Sequence, residues 1–142
     1  MTSKELKAFS SALALAKLSL GDKPQNDTEK ILVSGLYPKW SAGSHNKGDI
    51  YTVGEQVWEC FQSYDNATYP DIQPENSAWG TFNRPPHGTT LKTALPWVKP
   101  TGSHDIYHTG EYMVYNGKTY LCLLDTAYSP DEYANAWQEI AE

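Results

Sequence analysis

Apolar side chains along residues 2–20 fall on a helical period. Leu6, Phe9, Leu13, Ala16 and Leu20 recur at spacings of three and four, which sets them in one stripe. Thr2 and Glu5 make a T-x-x-E capping box at the start, and Gly21 is a C-terminal stop. A short second helix is expected from about Glu29 to Ser34, capped by Asp27 or Thr28 and ended by Gly35. The period then shortens. Residues 49–53 and 56–62 read as strands around Gly54-Glu55, and 79–82 as a third. Residues 112–115 and 118–124 flank Asn116-Gly117, a pair that accepts the positive φ of a type I′ hairpin turn, and 137–140 follow as a strand. The expected class is α+β: an N-terminal helix and a short second helix, then two tandem small antiparallel β modules of about three strands each.

The second module repeats the first. With Gly48 laid on Gly110, Asp49 meets Glu111, Trp58 meets Tyr120 and Cys60 meets Cys122 without a gap. A two-residue offset matches Asp65 to Asp71 with Asp125 to Asp131. Ala78-Trp79 pairs with Ala136-Trp137, and upstream Gly43-Ser44-His45 pairs with Gly102-Ser103-His104. Ordered landmarks of this kind indicate an internal duplication. The expected division is a helical attachment segment over 1–36, a module over 37–83, a proline-containing linker over 84–94 and a module over 95–142. Two prolines stiffen the linker, so a defined offset between modules is expected.

Charge and cysteine content narrow the function classes. The 142 residues hold 11 Lys and Arg against 17 Asp and Glu, a net charge of −6. That argues against a phosphate-neutralising nucleic-acid binder. The two cysteines occupy equivalent positions, so two buried free thiols are expected. Lys4, Glu5 and Lys7 follow Met1 and Lys17 interrupts the apolar stretch, a pattern unlike a secretory leader. No apolar run approaches the ~20 residues that span a membrane. No cofactor and no metal site is expected.

No catalytic motif stands out. Glycine-rich phosphate loops, H-E-x-x-H and G-x-S-x-G are all absent from the sequence. His104 and His108 are four apart, but in loop or strand that spacing does not bring two imidazoles together. A non-enzymatic role is expected. Aromatics carry more information: ten Tyr and five Trp exceed what two cores of about 45 residues each can hide. A flat exposed ring covers the apolar face of a sugar, and Asp, Asn or Gln beside it hydrogen-bonds the hydroxyl rim. The loop candidates are Tyr64 and Tyr69 in the first repeat, and Tyr128 and Tyr133 in the second. Trp40, Trp79, Trp97 and Trp137 are expected to roof the cores. Asp65 and Asp125 are expected to organise their loops as Asx-type acceptors.

The pattern Trp97, Tyr107, Gly110-Glu111, Val114-Tyr115-Asn116-Gly117-Lys118, Tyr120, Pro130 and Ala136-Trp137 is similar to the small three-stranded carbohydrate-binding modules attached to chitinases and cellulases. The first repeat resembles them through Trp40, Gly48-Asp49, Trp58, Pro70 and Ala78-Trp79. Where chitinase modules commonly carry an aromatic pair after the second strand, this chain has Phe61-Gln62 and Leu123-Leu124, which makes Phe61 a further binding candidate. The whole chain also resembles bacteriophage proteins often encoded near tail-fibre and baseplate genes, in which an Ala/Leu-rich helix leads through L-Y-P-x-W into such modules. Here that is Leu13 to Leu18, then Leu36-Tyr37-Pro38-Lys39-Trp40. The resemblance implies a non-enzymatic virion component, made in the bacterial host cytoplasm and present as a homo-oligomer or in several copies in an assembly. Its helix, through Leu6, Phe9, Leu13, Ala16 and Leu20, would contact other virion proteins, and its modules would face outward. Two readings follow: modules that bind host surface glycans, or a capsid or tail decoration element whose modules make protein contacts. Neither involves nucleic acid or a membrane.

Overall fold

The computed structural model describes residue 24 and residues 26–141. The helix expected over 2–20, with its stripe of Leu6, Phe9, Leu13, Ala16 and Leu20, lies outside them. The described chain is mostly β, in three sheets, with short helical turns. Helix α1 (Asp27–Leu32) is capped by Asn26, whose side chain accepts the Glu29 N–H, and runs into a 3-10 turn over Ser34–Leu36. The expected caps do other work. Asp27 receives Arg84 at 2.7 Å and the His87 N–H at 2.9 Å, and the Thr28 hydroxyl lies 2.8 Å from that of Thr89.

In the first half, strands β2 (Ile50–Val53), β3 (Gln56–Cys60) and β5 (Asn83–Arg84) form one sheet in that order. Strands β1 (Ser44–His45) and β4 (Tyr64–Asp65) pair beside it. In the second half, β6 (Leu95–Pro96), β7 (Tyr112–Tyr115), β8 (Lys118–Cys122) and β9 (Trp137–Ile140) form a four-stranded sheet. The two hairpins share one register: Ile50 faces Glu59 as Tyr112 faces Leu121, and Val53 faces Gln56 as Tyr115 faces Lys118. Gly48 donates to Cys60 O at 2.8 Å, and Gly110 to Cys122 O at 2.9 Å. Those two glycines have φ of 99° and 95°, a region closed to most side chains. Asn116 and Gly117 both have positive φ, the type I′ pattern, whereas only Gly54 does in the first hairpin, the pattern of a II′ turn.

Several expectations are corrected. Neither half is purely antiparallel: β6 runs parallel to β7, and Lys39 makes the matching parallel bridge to Thr52. Trp79–Phe82 is not a strand but a single helical turn, α2, and the return strand is Asn83–Arg84. Asn83 therefore faces Cys60 where Trp137 faces Cys122. The offset of 62 residues from Gly48 to Gly110 holds farther than the landmarks suggested: His45 pairs with Tyr64 as Tyr107 pairs with Thr126. The counterpart of His45 is thus Tyr107 and not His104. The counterpart of Asp125 is Ser63: Lys47 N donates to Ser63 Oγ at 2.8 Å as Thr109 N donates to Asp125 at 2.9 Å.

Each half has its own aromatic core. Tyr51, Cys60, Tyr64, Ile72 and Trp79 form the first, with Trp40, Trp58 and Phe82 against it. Tyr107, Met113, Cys122, Ala136 and Trp137 form the second, with Trp97, Tyr115 and Tyr120 against it. Trp58 and Cys60 therefore point inward. Val57 is buried too, because the opposite face of β3 is also covered. Both cysteines are free and buried, and burial pushes the Cys122 thiol up to about 11.

The proline-containing segment is not an exposed linker. Pro85 and Pro86 are fully buried, as is the side chain of His87. The His87 ring stacks on Tyr107 at 3.8 Å and meets Glu111 at 3.0 Å. Arg84 bridges Asp27 and Glu59, and Lys30 completes the cluster at 2.9 Å from Glu59. The Tyr112 N–H donates to Gly88 O at 2.9 Å. A Cβ on Gly88 would lie 2.5 Å from Thr93 O, so the chain passes there only without a side chain.

Candidate binding surface

The five binding candidates separate into three environments. Tyr64 is buried, at 5% exposure. Its hydroxyl accepts Trp40 Nε1–H at 3.0 Å and lies 2.8 Å from the Tyr51 hydroxyl, which donates to Asn83 Oδ1. This removes Tyr64 from any ligand surface: its position in β4 turns it into the core. Phe61 is half-buried and packs on His104 at 4.4 Å, so it belongs to the contact between halves. Tyr69, Tyr128 and Tyr133 are open, at 59%, 57% and 38% exposure.

The open rings stand on loops fixed from beneath. In the loop over 63–78, the side chain of Asn66 donates to Tyr69 O at 3.1 Å and to Ile72 O at 2.9 Å, and accepts the Gly43 N–H at 3.1 Å. Asp65 closes an Asx turn by accepting the Ala67 N–H at 3.0 Å. In the loop over 123–136, Trp137 Nε1 donates to Tyr128 O at 3.0 Å and the Tyr128 N–H donates to Thr126 Oγ1 at 3.0 Å. The Tyr133 N–H donates to Ser129 O at 2.8 Å. One buried polar donor thus holds the carbonyl of each most exposed tyrosine. The aromatic side chain projects while its backbone is held in place, which lowers the ordering cost of binding.

The loops are acidic. Asp65, Asp71 and Glu75 lie in one and Asp125, Asp131 and Glu132 in the other, with no Lys or Arg in either. The Thr109 N–H and His108 hold the Asp125 carboxyl below its ordinary value, and the Ser129 N–H does the same for Glu132. Tyr115 donates its hydroxyl to Asp131 at 2.7 Å. Asp125 therefore ties its loop to Thr109, not to itself as an Asx turn would. His104 and His108 meet different partners, Phe61 and Asp125.

Two residues not named as candidates from the sequence are exposed on the second loop: Leu123 at 41% and Leu124 at 47%. Their place after β8 was visible in the repeat, but exposure depends on what packs there. The equivalent Phe61 is covered by His104, and nothing among the described residues repeats that contact on Leu123. Asn66 and Trp137 were also invisible as positioning residues, since each acts through a hydrogen bond to a backbone atom several residues away. A scan against protein-family models finds no match for this chain, and no curated protein matches it.

Proposed function

We propose that this chain is a non-enzymatic bacteriophage virion protein whose two halves are tandem modules resembling carbohydrate-binding modules and adsorb to host surface glycans. The observation that carries this reading is the pair of exposed tyrosines, Tyr69 and Tyr128, each with its carbonyl pinned by a buried side chain. A preorganised flat ring beside carboxylates is what a sugar needs: an apolar face to cover and acceptors for its hydroxyls. The test is affinity electrophoresis of the full chain in gels containing host cell-wall polysaccharide. Retardation that disappears in Tyr69→Ala/Tyr128→Ala, with an unchanged melting temperature, supports the reading. Equal migration of wild type and variant sinks it.

A second reading, a capsid or tail decoration element, is favoured by Leu123 and Leu124. Aliphatic side chains do not stack on sugars, and exposed apolar pairs serve protein contact. In both readings the stripe over residues 2–20 attaches the protein to other virion components. Deleting residues 1–21 tests this: the expected product is folded but no longer joins the particle, and an unfolded product would place the stripe in the core instead.

A further inference from the structure

Resting on the glycan reading above, we propose that the Tyr69 and Tyr128 loops act together as one bivalent reader of a long uncharged polysaccharide. The first support is the junction between the halves. Phe61 precedes the Tyr69 loop and Gly80 follows it; these two residues meet His104 at 4.4 Å and Thr101, whose hydroxyl donates to Gly80 O at 3.2 Å. A Cβ on Gly80 would lie 2.6 Å from Thr101 Cγ2, so the Thr101 side chain packs directly on the Gly80 backbone. The Thr101–His104 stretch belongs to the same end of the second half as the Tyr128 loop, because Tyr107 pairs with Thr126. The loop-bearing ends are therefore joined at their bases.

The second support is rigidity. Fully buried Pro85 and Pro86, His87 with its N–H on Asp27 at 2.9 Å and its ring stacked on Tyr107 at 3.8 Å, and the bond from Gln56 Nε2 to Pro96 O at 2.8 Å hold the halves at one offset. A polymer that has engaged one tyrosine meets the second without further ordering of the protein. Linked sites of this kind raise avidity by about 10²–10⁴-fold over either alone. A short oligosaccharide gains none of this.

The third support sets the charge of the ligand. Each loop carries three carboxylates and no Lys or Arg, and against them stand Lys99, whose charge reaches Glu132, and His108, 3.2 Å from Asp125. The excess of carboxylates repels polyanions at both contacts, and the repulsion acts twice when two loops must bind at once. The chain has a single arginine, Arg84, and it is committed to Asp27 and Glu59.

Calorimetry on the full chain tests this with hydroxyethylcellulose and glycol chitin as neutral polymers, their trisaccharides as short ligands, and polygalacturonate as a polyanion. The expected result is binding to a neutral polymer at least tenfold tighter than to its trisaccharide. Tyr69→Ala and Tyr128→Ala should each bring polymer affinity down to the trisaccharide level, and polygalacturonate should not bind. Single variants that halve the stoichiometry and leave the affinity unchanged would show independent sites, overturning bivalency while the glycan reading stands. Binding of polygalacturonate at wild-type polymer affinity would overturn the charge argument. Polymer binding untouched in the double variant, or absent in the wild type, would overturn both the inference and the reading it rests on. Unchanged melting temperatures in the variants establish that the losses are not losses of fold.

Discussion

At the second position of its first hairpin strand the first half carries Tyr51, and at the matching position the second half carries Met113. Around Tyr51 the core is a relay: Trp40 donates to Tyr64, Tyr64 to Tyr51, and Tyr51 to Asn83. Around Met113 there is none among the described residues, because Thr126 stands for Tyr64 and Trp137 for Asn83. One backbone register accommodates both, since a buried polar group is tolerated when it is paired and an apolar group needs only volume. Tryptophan makes the same point. Trp137 enters its core from β9 and meets Trp97 edge-on at 6.1 Å. With Asn83 at the corresponding strand position, the first half brings in Trp79 from α2, and it meets Trp40 edge-on at 5.6 Å. The indole is required as a filler of space, not as a residue at a given strand position. Its polar end is used differently: Trp137 pins Tyr128, whereas Trp79 Nε1 finds no acceptor among the described residues.

The strongest way to break this comparison is to remove the two indoles. Trp79→Ala and Trp137→Ala are each expected to cost about 3–5 kcal/mol in urea unfolding. Similar losses would support equivalence; a loss under about 1 kcal/mol at either site would end it. Next, Tyr51→Phe should cost about 1–3 kcal/mol, because it leaves Asn83 Oδ1 and the Tyr64 hydroxyl short of a partner. Met113→Leu, where no hydroxyl is at stake, should cost less than about 1.5 kcal/mol. A reversal of that order would show that the relay is not what stabilises the first core.

The turns give a smaller contrast. Gly117→Val and Gly54→Val should each lose about 1–2 kcal/mol, as both force a β-branched residue into positive φ. Asn116→Ala should be milder than Gly117→Val, and Glu55→Ala should be nearly silent, since Glu55 sits at negative φ. Melting temperatures of the four variants decide it.

Acid sharpens the comparison last. Burial raises the Asp27 carboxyl, but the bond and charge of Arg84, the His87 N–H and Lys30 outweigh it, and the group sits below its ordinary value. A carboxyl depressed in the folded state contributes stability above its unfolded value near 3.8, and loses it as pH falls through the folded value. The expected result is a falling urea midpoint below about pH 4 that flattens in Asp27→Asn. Among the described residues the second half shows no equivalent cluster, as Leu121 and Gln138 stand where Glu59 and Arg84 do. An Asp27→Asn curve parallel to wild type would remove this group from the acid response.

Much of the second half could be read directly. Strands 112–115 and 137–140 and the Asn116-Gly117 turn lie where the period and the turn pair put them, and strand 118–124 ends two residues early, at Cys122. The first half was harder. The repeat aligns Trp79 with Trp137 and so points to a strand there, whereas the chain forms a helical turn at Trp79 and returns as a strand at Asn83. Of the candidate surface, Tyr69, Tyr128 and Tyr133 were legible as aromatics in turn-rich loops. Tyr64 was not, since only its pairing with His45 and its bonds to Trp40 and Tyr51 take it inside.

The sequence by itself therefore determined the elements whose cause is local: hairpins written by period-two runs, turns written by residues that accept positive φ, and two thiols at equivalent strand positions. The tertiary structure decided which aromatics are surface and which are core, and it turned the Arg84–His87 stretch from an expected spacer into a buried seam. The reason is range. Backbone dihedrals answer to neighbours one or two residues away. Burial answers to partners such as Asp27 for Arg84, Tyr107 for His87 and His104 for Phe61, each brought in from 20 to 57 residues along the chain by the folding of everything between.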